Sequence, residues 1–390
     1  MKIIINSVSA NMGGALTYLK NLLRLLPKLR PDYNYIVCVA EVIRDELAAF
    51  CQQPNVTLRS FYFAKTSGIK RFYFDQLTIP KLIRTLNVDV LFSATGFGTI
   101  HSPCPQVVLV RNATYFSEEF FKKYKELKRP LIRKIFLRWW SLQSIKASNV
   151  ILFPTAAMQE IVKRHVPLDH KYTEVIHYGF DREGFFGYRT AEPEIVERTR
   201  IWKSQGYRIL LNVSTYAVQK NFETLINALP YLIRQGIKLK LILTISREDT
   251  SDKVEYDLLM QRIKDLGLEE FVILIGYVPY EKLAMVYRAA DIFIFPSLTE
   301  SFGHPLVEAI ASGLPIISAD VPYAREVCQD TALYFDVFNE KDLAEKLEVL
   351  IGNKNNSLQL KEKALKRSKH FSWEKHASKL LEIFAEIYKK

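Results

Sequence analysis

Residues Ile292–Ser318 read IFIFPSLTESFGHPLVEAIASGLPIIS. A β-branched and aromatic run, Ile292–Phe295, leads through a polar loop into a helix expected over Pro305–Ala311. A second apolar run, Pro315–Ser318, follows. Short apolar runs on either side of an amphipathic stretch are the βαβ rhythm of a parallel sheet. The rhythm extends upstream. Strands are expected at Ile209–Ser214, Leu239–Thr244 and Val272–Ile275, with helices at Phe222–Gln235, Asp257–Leu266 and Glu281–Ala289.

Between Arg182 and Lys203 the rhythm breaks: Gly184, Gly187 and Pro193 sit among charged residues, and the segment reads as a linker. Before it the same alternation runs from the N-terminus. Strands are expected at Lys2–Val8, Tyr35–Ala40, Val56–Ser60, Val88–Ser93 and Gln106–Arg111, with helices at Leu16–Leu29, Ile43–Phe50 and near Phe74–Leu86. The fold class is therefore α/β, with two doubly wound Rossmann-like domains over residues 1–185 and 186–370. Residues 371–390 add a terminal helix, Trp373–Tyr388, whose Leu380, Leu381, Ile383, Phe384 and Ile387 share one face and call for packing on a domain. A length of 390 residues agrees with two or three domains of about 100–200 residues each. In doubly wound sheets ligands lie beyond the carboxyl ends of the strands, and in a two-domain chain the default site faces a central cleft.

Apolar residues make up 48% of the chain, so two cores are affordable. The formal net charge is +12, with 54 Lys+Arg against 42 Asp+Glu. Such a surplus favours phosphates, lipid headgroups or nucleic acid, and serves equally as generic solubility charge. Cys38, Cys51, Cys104 and Cys328 form no CxxC pair and have no histidine at metal-ligand spacing, so neither a disulfide framework nor a zinc site is expected. Reduced thiols point to the cytoplasm. The run Ile3–Ile5 is too short for a signal-peptide core, and no run of about 18 apolar residues is present to span a membrane.

Three motifs carry candidate chemistry. Asn11-Met12-Gly13-Gly14-Ala15 follows the first strand. Its glycines permit close backbone approach, and the next helix presents free N–H groups to a phosphate. A plain tight turn fits the same residues. Val213-Ser214-Thr215 through Lys220-Asn221 follows the first strand of the second half. Lys220 offers a mobile point charge for phosphate oxygens, and Ser214 and Thr215 offer hydroxyl donors. A lysine at a helix start opposes the helix dipole, a local violation of the kind found at functional sites. The third motif is Glu300-Ser301-Phe302-Gly303-His304-Pro305-Leu306-Val307-Glu308. Glu300 on the loop can accept hydrogen bonds from sugar hydroxyls, Glu308 in the helix can take a ribose diol, and the amides of Phe302 and Gly303 can meet phosphate. Val307, Ala309 and Ile310 flank Glu308, so the pattern leaves its exposure open.

Taken in order, Gly13-Gly14, Lys220-Asn221, Gly276-Tyr277-Val278, Pro296–Gly303 with Glu308, Ala311–Ile317 and Phe371–Lys375 resemble family 4 of the retaining glycosyltransferases over nearly the whole chain. That resemblance implies the GT-B architecture, with the terminal helix crossing back to the first domain. It implies that the first domain binds the acceptor and the second the nucleotide sugar. It further implies that Glu300 binds the transferred sugar, Glu308 the ribose, Lys220 the diphosphate and Gly13-Gly14 the sugar and its phosphate. Ser301, Phe302, Gly303 and His304 line the donor pocket, and Tyr277-Val278 hold the base. The expected reaction is metal-independent transfer of a hexose from a nucleotide sugar, UDP-glucose or a related UDP-sugar ahead of GDP-mannose, to a glycan or lipid-linked hydroxyl, as in polysaccharide biosynthesis. No cofactor is implied, because the nucleotide sugar is a substrate and no D-x-D pair is present.

The chain departs from the family pattern twice. Thr215 stands where an arginine is common five residues before the lysine. Arg111-Asn112 stands where His-Asp is common after a strand of the first domain. Arg111 can meet a donor hydroxyl, the diphosphate or an acidic acceptor, or form a structural ion pair. Residues 122–146 read KKYKELKRPLIRKIFLRWWSLQSIK. On a helix from Pro130, Leu131, Ile135, Trp139 and Leu142 share a face and basic residues lie elsewhere. Such a helix suits either an anionic membrane at the inner face or a core with a solvated basic side. Nucleic acid fits poorly, since no recognition module is visible. Two competing readings are another GT-B enzyme, such as a sugar-nucleotide epimerase, and a non-catalytic basic protein that binds membranes or polyanions.

Overall fold

The computed structural model describes residues 1–11, 13–62, 68–126, 131–187 and 190–389. Of these, 1–117, 131–179 and 372–389 form one compact unit, and 118–126 and 180–371 form another.

The first unit carries a seven-stranded parallel sheet. Its strands are β1 (Lys2–Asn6), β2 (Asn34–Ala40), β3 (Val56–Phe61), β4 (Val90–Ser93), β5 (Gln106–Leu109), β6 (Val150–Phe153) and β7 (Tyr172–Val175), in spatial order β3-β2-β1-β4-β5-β6-β7. The second unit carries a six-stranded parallel sheet of β8 (Arg208–Asn212), β9 (Leu239–Leu243), β10 (Val272–Leu274), β11 (Ile292–Phe295), β12 (Ile316–Ala319) and β13 (Ala332–Phe335), ordered β10-β9-β8-β11-β12-β13. Helices cover both faces of a doubly wound parallel sheet, so its strands are continuous apolar runs. All four residues of β4, β6 and β11 are buried. Each sheet reverses direction once, between β1 and β4 and between β8 and β11. Loops leaving neighbouring strands at such a reversal open a crevice for ligands.

The second core joins Leu210, Leu241, Ile294 and Ile317 of the sheet to Leu225, Leu229 and Leu232 of the helix Phe222–Arg234 and Leu343 and Leu347 of the helix Glu340–Gly352. In the first unit the helix Trp373–Tyr388 buries Trp373, Leu380, Ile383, Phe384 and Ile387. Its Trp373 ring meets Tyr18 edge-on at 5.6 Å, and Phe384 lies 5.5 Å from Phe92. A Cβ at position 179 would collide with the Trp373 backbone, so only glycine fits under the start of this helix.

Several expectations change. The segment read as a linker contains two helices, Arg182–Phe186 and Glu194–Ser204. Phe185 is fully buried against Tyr280 and Tyr287, at 5.3 and 5.9 Å, and this packing draws residues 180–185 into the second unit. The helix Glu118–Glu126, placed by its sequence position in the first domain, packs beside the turn Val218–Lys220 of the second unit. The helix expected at Phe74–Leu86 is longer and irregular: a helix Gly68–Tyr73 passes through a π turn, Phe74–Thr78, into the helix Ile79–Leu86. The basic helix begins at Ile132; its expected start at Pro130 lies outside the described residues, as does Met12 of the glycine motif.

Leu229→Ala empties a site with no solvent exposure at the centre of the second core. Urea unfolding should show a loss of about 2–5 kcal/mol. A loss near zero would mean the helix Phe222–Arg234 does not seal this sheet.

Candidate active site

The loops that leave β8 and β11 are tied together at the reversal of the second sheet. Buried Asn212, at the end of β8, donates through Nδ2 to the Ile294 carbonyl at 2.8 Å and accepts at Oδ1 from Ser214 Oγ at 3.2 Å. Leu298 N–H donates to the Gln219 carbonyl at 2.8 Å. Lys220 Nζ then meets Glu300 Oε1 at 2.5 Å, and Ser297 Oγ donates to the same oxygen at 2.8 Å. The two charged side chains are only 14% and 21% exposed, so their attraction is less screened than that of a surface pair. Tyr323 fixes the loop from beneath, its hydroxyl donating to the Ser297 carbonyl at 2.7 Å. Lys220 occupies a 3-10 turn, Val218–Lys220, one residue before the helix Phe222–Arg234. Asn221 joins turn to helix in the left-handed region at φ 52°, which asparagine tolerates better than most residues, and its Nδ2 anchors to the Val337 carbonyl at 2.7 Å. The charge that opposed the helix dipole is thus answered by Glu300.

Past Glu300 the chain turns at Gly303, whose φ of 87° lies in the region that favours glycine, and enters the helix His304–Ser312. Phe302 is buried, 5.8 Å from Phe371 and 5.4 Å from His304. Glu308 lies on that helix; part of its side chain reaches solvent, while protein atoms crowd its carboxyl group. The hydroxyl of buried Tyr287 donates to Glu308 Oε2 at 2.8 Å. Burial pushes the Glu308 carboxyl up to about 7, and the Tyr287 hydrogen bond pulls the other way. Ser214 is partly exposed and Thr215 is exposed. Tyr277, 71% exposed, and Val278 follow Gly276 at the end of the edge strand β10.

In the first unit Gly13 starts the helix Gly13–Leu29 at φ 58°, with open space where a Cβ would stand, and Gly14 follows it. Arg111 lies two residues beyond β5. Its guanidinium sits over the rings of Tyr18 and Tyr178, at 5.2 and 5.6 Å. The ion pair considered for it does not form among the described residues.

The structure therefore joins Lys220 directly to Glu300, sets Ser214 on the same strand end and places Glu308 on the following helix. Arg111, Gly13 and Gly14 belong to the other unit. Ser297, Tyr287 and Tyr323 were missed. Ser297 lies inside the quoted motif and could have been flagged as a hydroxyl three residues before Glu300. Nothing local marks the two tyrosines, which arrive from separate helices. Among the described residues no group of three or more His, Cys, Asp or Glu side chains gathers as metal ligands.

Residues 12–183 match the family model described as Glycosyltransferase Family 4, and residues 196–367 that described as Glycosyl transferases group 1. The chain belongs to the family 4 glycosyltransferases. Among its curated relatives in that family, mannosylfructose-phosphate synthase of Agrobacterium fabrum is 28% identical over 207 residues, covering 51% of this chain and 44% of that protein. D-inositol 3-phosphate glycosyltransferase of Nocardia farcinica is 31% identical over 192 residues, covering 48% of this chain and 42% of that protein. The chain thus matches less than half the length of these relatives. Among solved structures, sucrose-phosphate synthase of Thermosynechococcus elongatus superposes with a TM-score of 0.74 at 16% identity, covering 100% and 99% of the two chains. Anabaena HepE in complex with UDP-glucose also reaches 0.74, at 18% identity over 99% and 100%. At such identities the likeness speaks for the fold, which is the GT-B pair of Rossmann-like domains.

A carboxyl group held near 7 in the fold and near 4.5 when unfolded opposes folding once it ionises. Its contribution is complete below about 4.5 and is lost as the pH rises through 7. Wild-type stability should carry a decline of about 1 kcal/mol per pH unit over that interval. Urea unfolding of Glu308→Gln at several pH values should lack the decline. Identical profiles would show that Glu308 is not buried in this way.

Proposed function

We propose that this chain is a retaining, metal-independent glycosyltransferase. It moves a hexose from a nucleotide sugar, UDP-glucose or a related UDP-sugar, to a hydroxyl of a glycan or lipid-linked acceptor. The observation that carries the reading is the contact of Lys220 with Glu300 at the strand ends where the second sheet reverses. A diphosphate entering there draws the Lys220 ammonium to itself and frees the Glu300 carboxylate for hydroxyls of the sugar. Glu308 takes the ribose diol, and Tyr277-Val278 border the base. As the bond from the anomeric carbon to the phosphate oxygen breaks, negative charge grows on the leaving diphosphate. Lys220, the Ser214 and Thr215 hydroxyls and the amides of Phe302 and Gly303 stabilise it. The acceptor oxygen bonds to the anomeric carbon on the face the leaving group vacates, and its proton passes to a phosphate oxygen. Supplying the counter-charge from Lys220 and amides leaves no step that calls for a metal. The UDP-glucose complex of Anabaena HepE supports this donor class, and the names mannosylfructose-phosphate synthase and D-inositol 3-phosphate glycosyltransferase support glycosyl transfer as the reaction class.

Lys220→Ala and Glu300→Ala should each lower kcat/KM for transfer by about 100-fold or more. Release of nucleoside diphosphate should require an added acceptor alcohol. Rates near wild type in both folded variants would overturn the assignment, and acceptor-independent turnover would favour an epimerase.

A lipid-linked acceptor agrees with the surface of the first unit. On the helix Ile132–Ala147, Ile132, Ile135 and Trp139 are 82%, 56% and 45% exposed, while Leu142, expected on the same face, packs on the core. The neighbouring helix, joined through Phe72–Phe136 at 5.9 Å, exposes Ile69 and Tyr73. Lys70, Arg133 and Lys134 accompany these apolar groups. Among the described residues no helix is long and apolar enough to cross a membrane. Phosphatidylglycerol vesicles should sediment the wild type and retain Ile135→Glu/Trp139→Glu several-fold less, with neutral vesicles binding neither. Equal sedimentation of both proteins would remove this part of the proposal.

A further inference from the structure

Where this chain uses a wholly or partly buried arginine for architecture, it gives the guanidinium partners. Arg71 pairs with Asp75 at 2.7 Å and donates to Ser9 and Thr95. Arg367 donates to the carbonyls of Val327 and Glu326, at 3.0 and 2.9 Å. Arg111 is treated otherwise. Its side chain is largely enclosed, and its Nη1 is shielded from solvent with no hydrogen-bond partner among the described residues.

The wall beneath it carries no charge. Tyr18 is fully buried, and its hydroxyl is spent on His376 Nε2 at 2.9 Å. The other ring nitrogen of His376 donates to the His177 carbonyl at 3.0 Å, and burial lowers this imidazole to about 4, so it is neutral near pH 7. Tyr178 and Trp373 stack beside it at 6.1 Å. Asn112 cannot answer the charge, because its side-chain oxygen accepts from Thr114 N–H and Oγ1, at 3.1 and 2.6 Å. Aromatic faces hold a guanidinium in place and leave its N–H fork directed elsewhere. A cation held in low dielectric without a counter-ion is costly, and the cost is relieved when an anion arrives.

We propose that Arg111 is a binding site for an anionic group, a carboxylate or a phosphate monoester, carried by the acceptor carbohydrate. The inference rests on the proposed function for its acceptor: Arg111 lies in the first unit, whereas Lys220, Glu300 and Glu308, the side chains proposed for the diphosphate, the sugar and the ribose, lie in the second. The planar fork can meet two oxygens of such a group at once.

Calorimetric titration of the whole chain tests this with glucose, glucuronate and glucose 6-phosphate as probes, against wild type, Arg111→Gln and Arg111→Lys. Wild type should bind at least one charged sugar about tenfold or more tighter than glucose. Arg111→Gln should erase the preference and Arg111→Lys retain part of it. Without sugar, Arg111→Gln should melt no lower than wild type. A clear fall would assign Arg111 to structure and overturn the site. The same titrations with UDP-glucose and UDP-glucuronate separate the sources: a preference for UDP-glucuronate that disappears in Arg111→Gln would move the anion to the donor sugar and overturn the acceptor assignment. UDP alone should bind both proteins equally, and weaker binding to Arg111→Gln would assign Arg111 to the diphosphate. Failure of UDP to bind wild type would instead break the proposed function. Equal binding of charged and neutral sugars by wild type, with UDP binding intact, would overturn the Arg111 site alone.

Discussion

A lysine and a glutamate from loops eighty residues apart share one short contact, and the arrangement of the second unit serves to make it. Parallel pairing of β8 with β11 sets their carboxyl ends side by side. Asn212, Gln219 and Ser297 then lace the departing loops together, so that Lys220 and Glu300 meet with little exposure. In the absence of ligand the pair neutralises itself. Each member is also the kind of group a sugar nucleotide requires, a cation for phosphate and an acceptor for hydroxyls. Removing either one leaves the other enclosed and unanswered, which is the costly state for a shielded charge. The contact is therefore a structural tie and, in the proposed function, the closed form of a binding site.

The first unit solves the same topological problem with different residues. Its sheet reverses between β1 and β4, and there Arg71 and Asp75, on the irregular helix Gly68–Thr78, bridge the two departing loops through Ser9, Thr95 and Asn6. That pair is almost wholly enclosed, at 5% and 0% exposure, and each nitrogen of the Arg71 guanidinium and each oxygen of the Asp75 carboxylate has a partner. It holds loops in place, whereas Arg111, on its aromatic shelf, leaves its Nη1 without a partner among the described residues.

Much of the fold was legible because buried parallel strands must be apolar along their whole length. Ile292–Phe295 and Trp373–Tyr388 have the bounds read from the pattern, and most other matched elements shift at their ends by one to three residues. The signal failed where tertiary packing, not local pattern, decided the outcome. Phe185 turns a charged, glycine-containing stretch into a helix of the second unit, and the π turn at Phe74–Thr78 answers to the Arg71–Asp75 bridge. In the site, Lys220, Glu300 and Glu308 were readable as residue types out of place: a cation at a helix start and carboxylates around a strand-to-helix loop. Their partners were not, because Tyr287, Tyr323 and the Tyr18–His376 wall become neighbours only when distant helices dock.

If Glu300 holds Lys220 until a diphosphate takes it away, then Glu300 competes with the diphosphate whenever no sugar is attached. Calorimetric titration of UDP into wild type and Glu300→Gln measures that competition directly. UDP lacks the sugar that would engage Glu300, so the account predicts that Glu300→Gln binds UDP several-fold more tightly than wild type. Weaker or unchanged UDP binding by the folded variant would contradict it, because Lys220 would then not be the group that Glu300 and the diphosphate share.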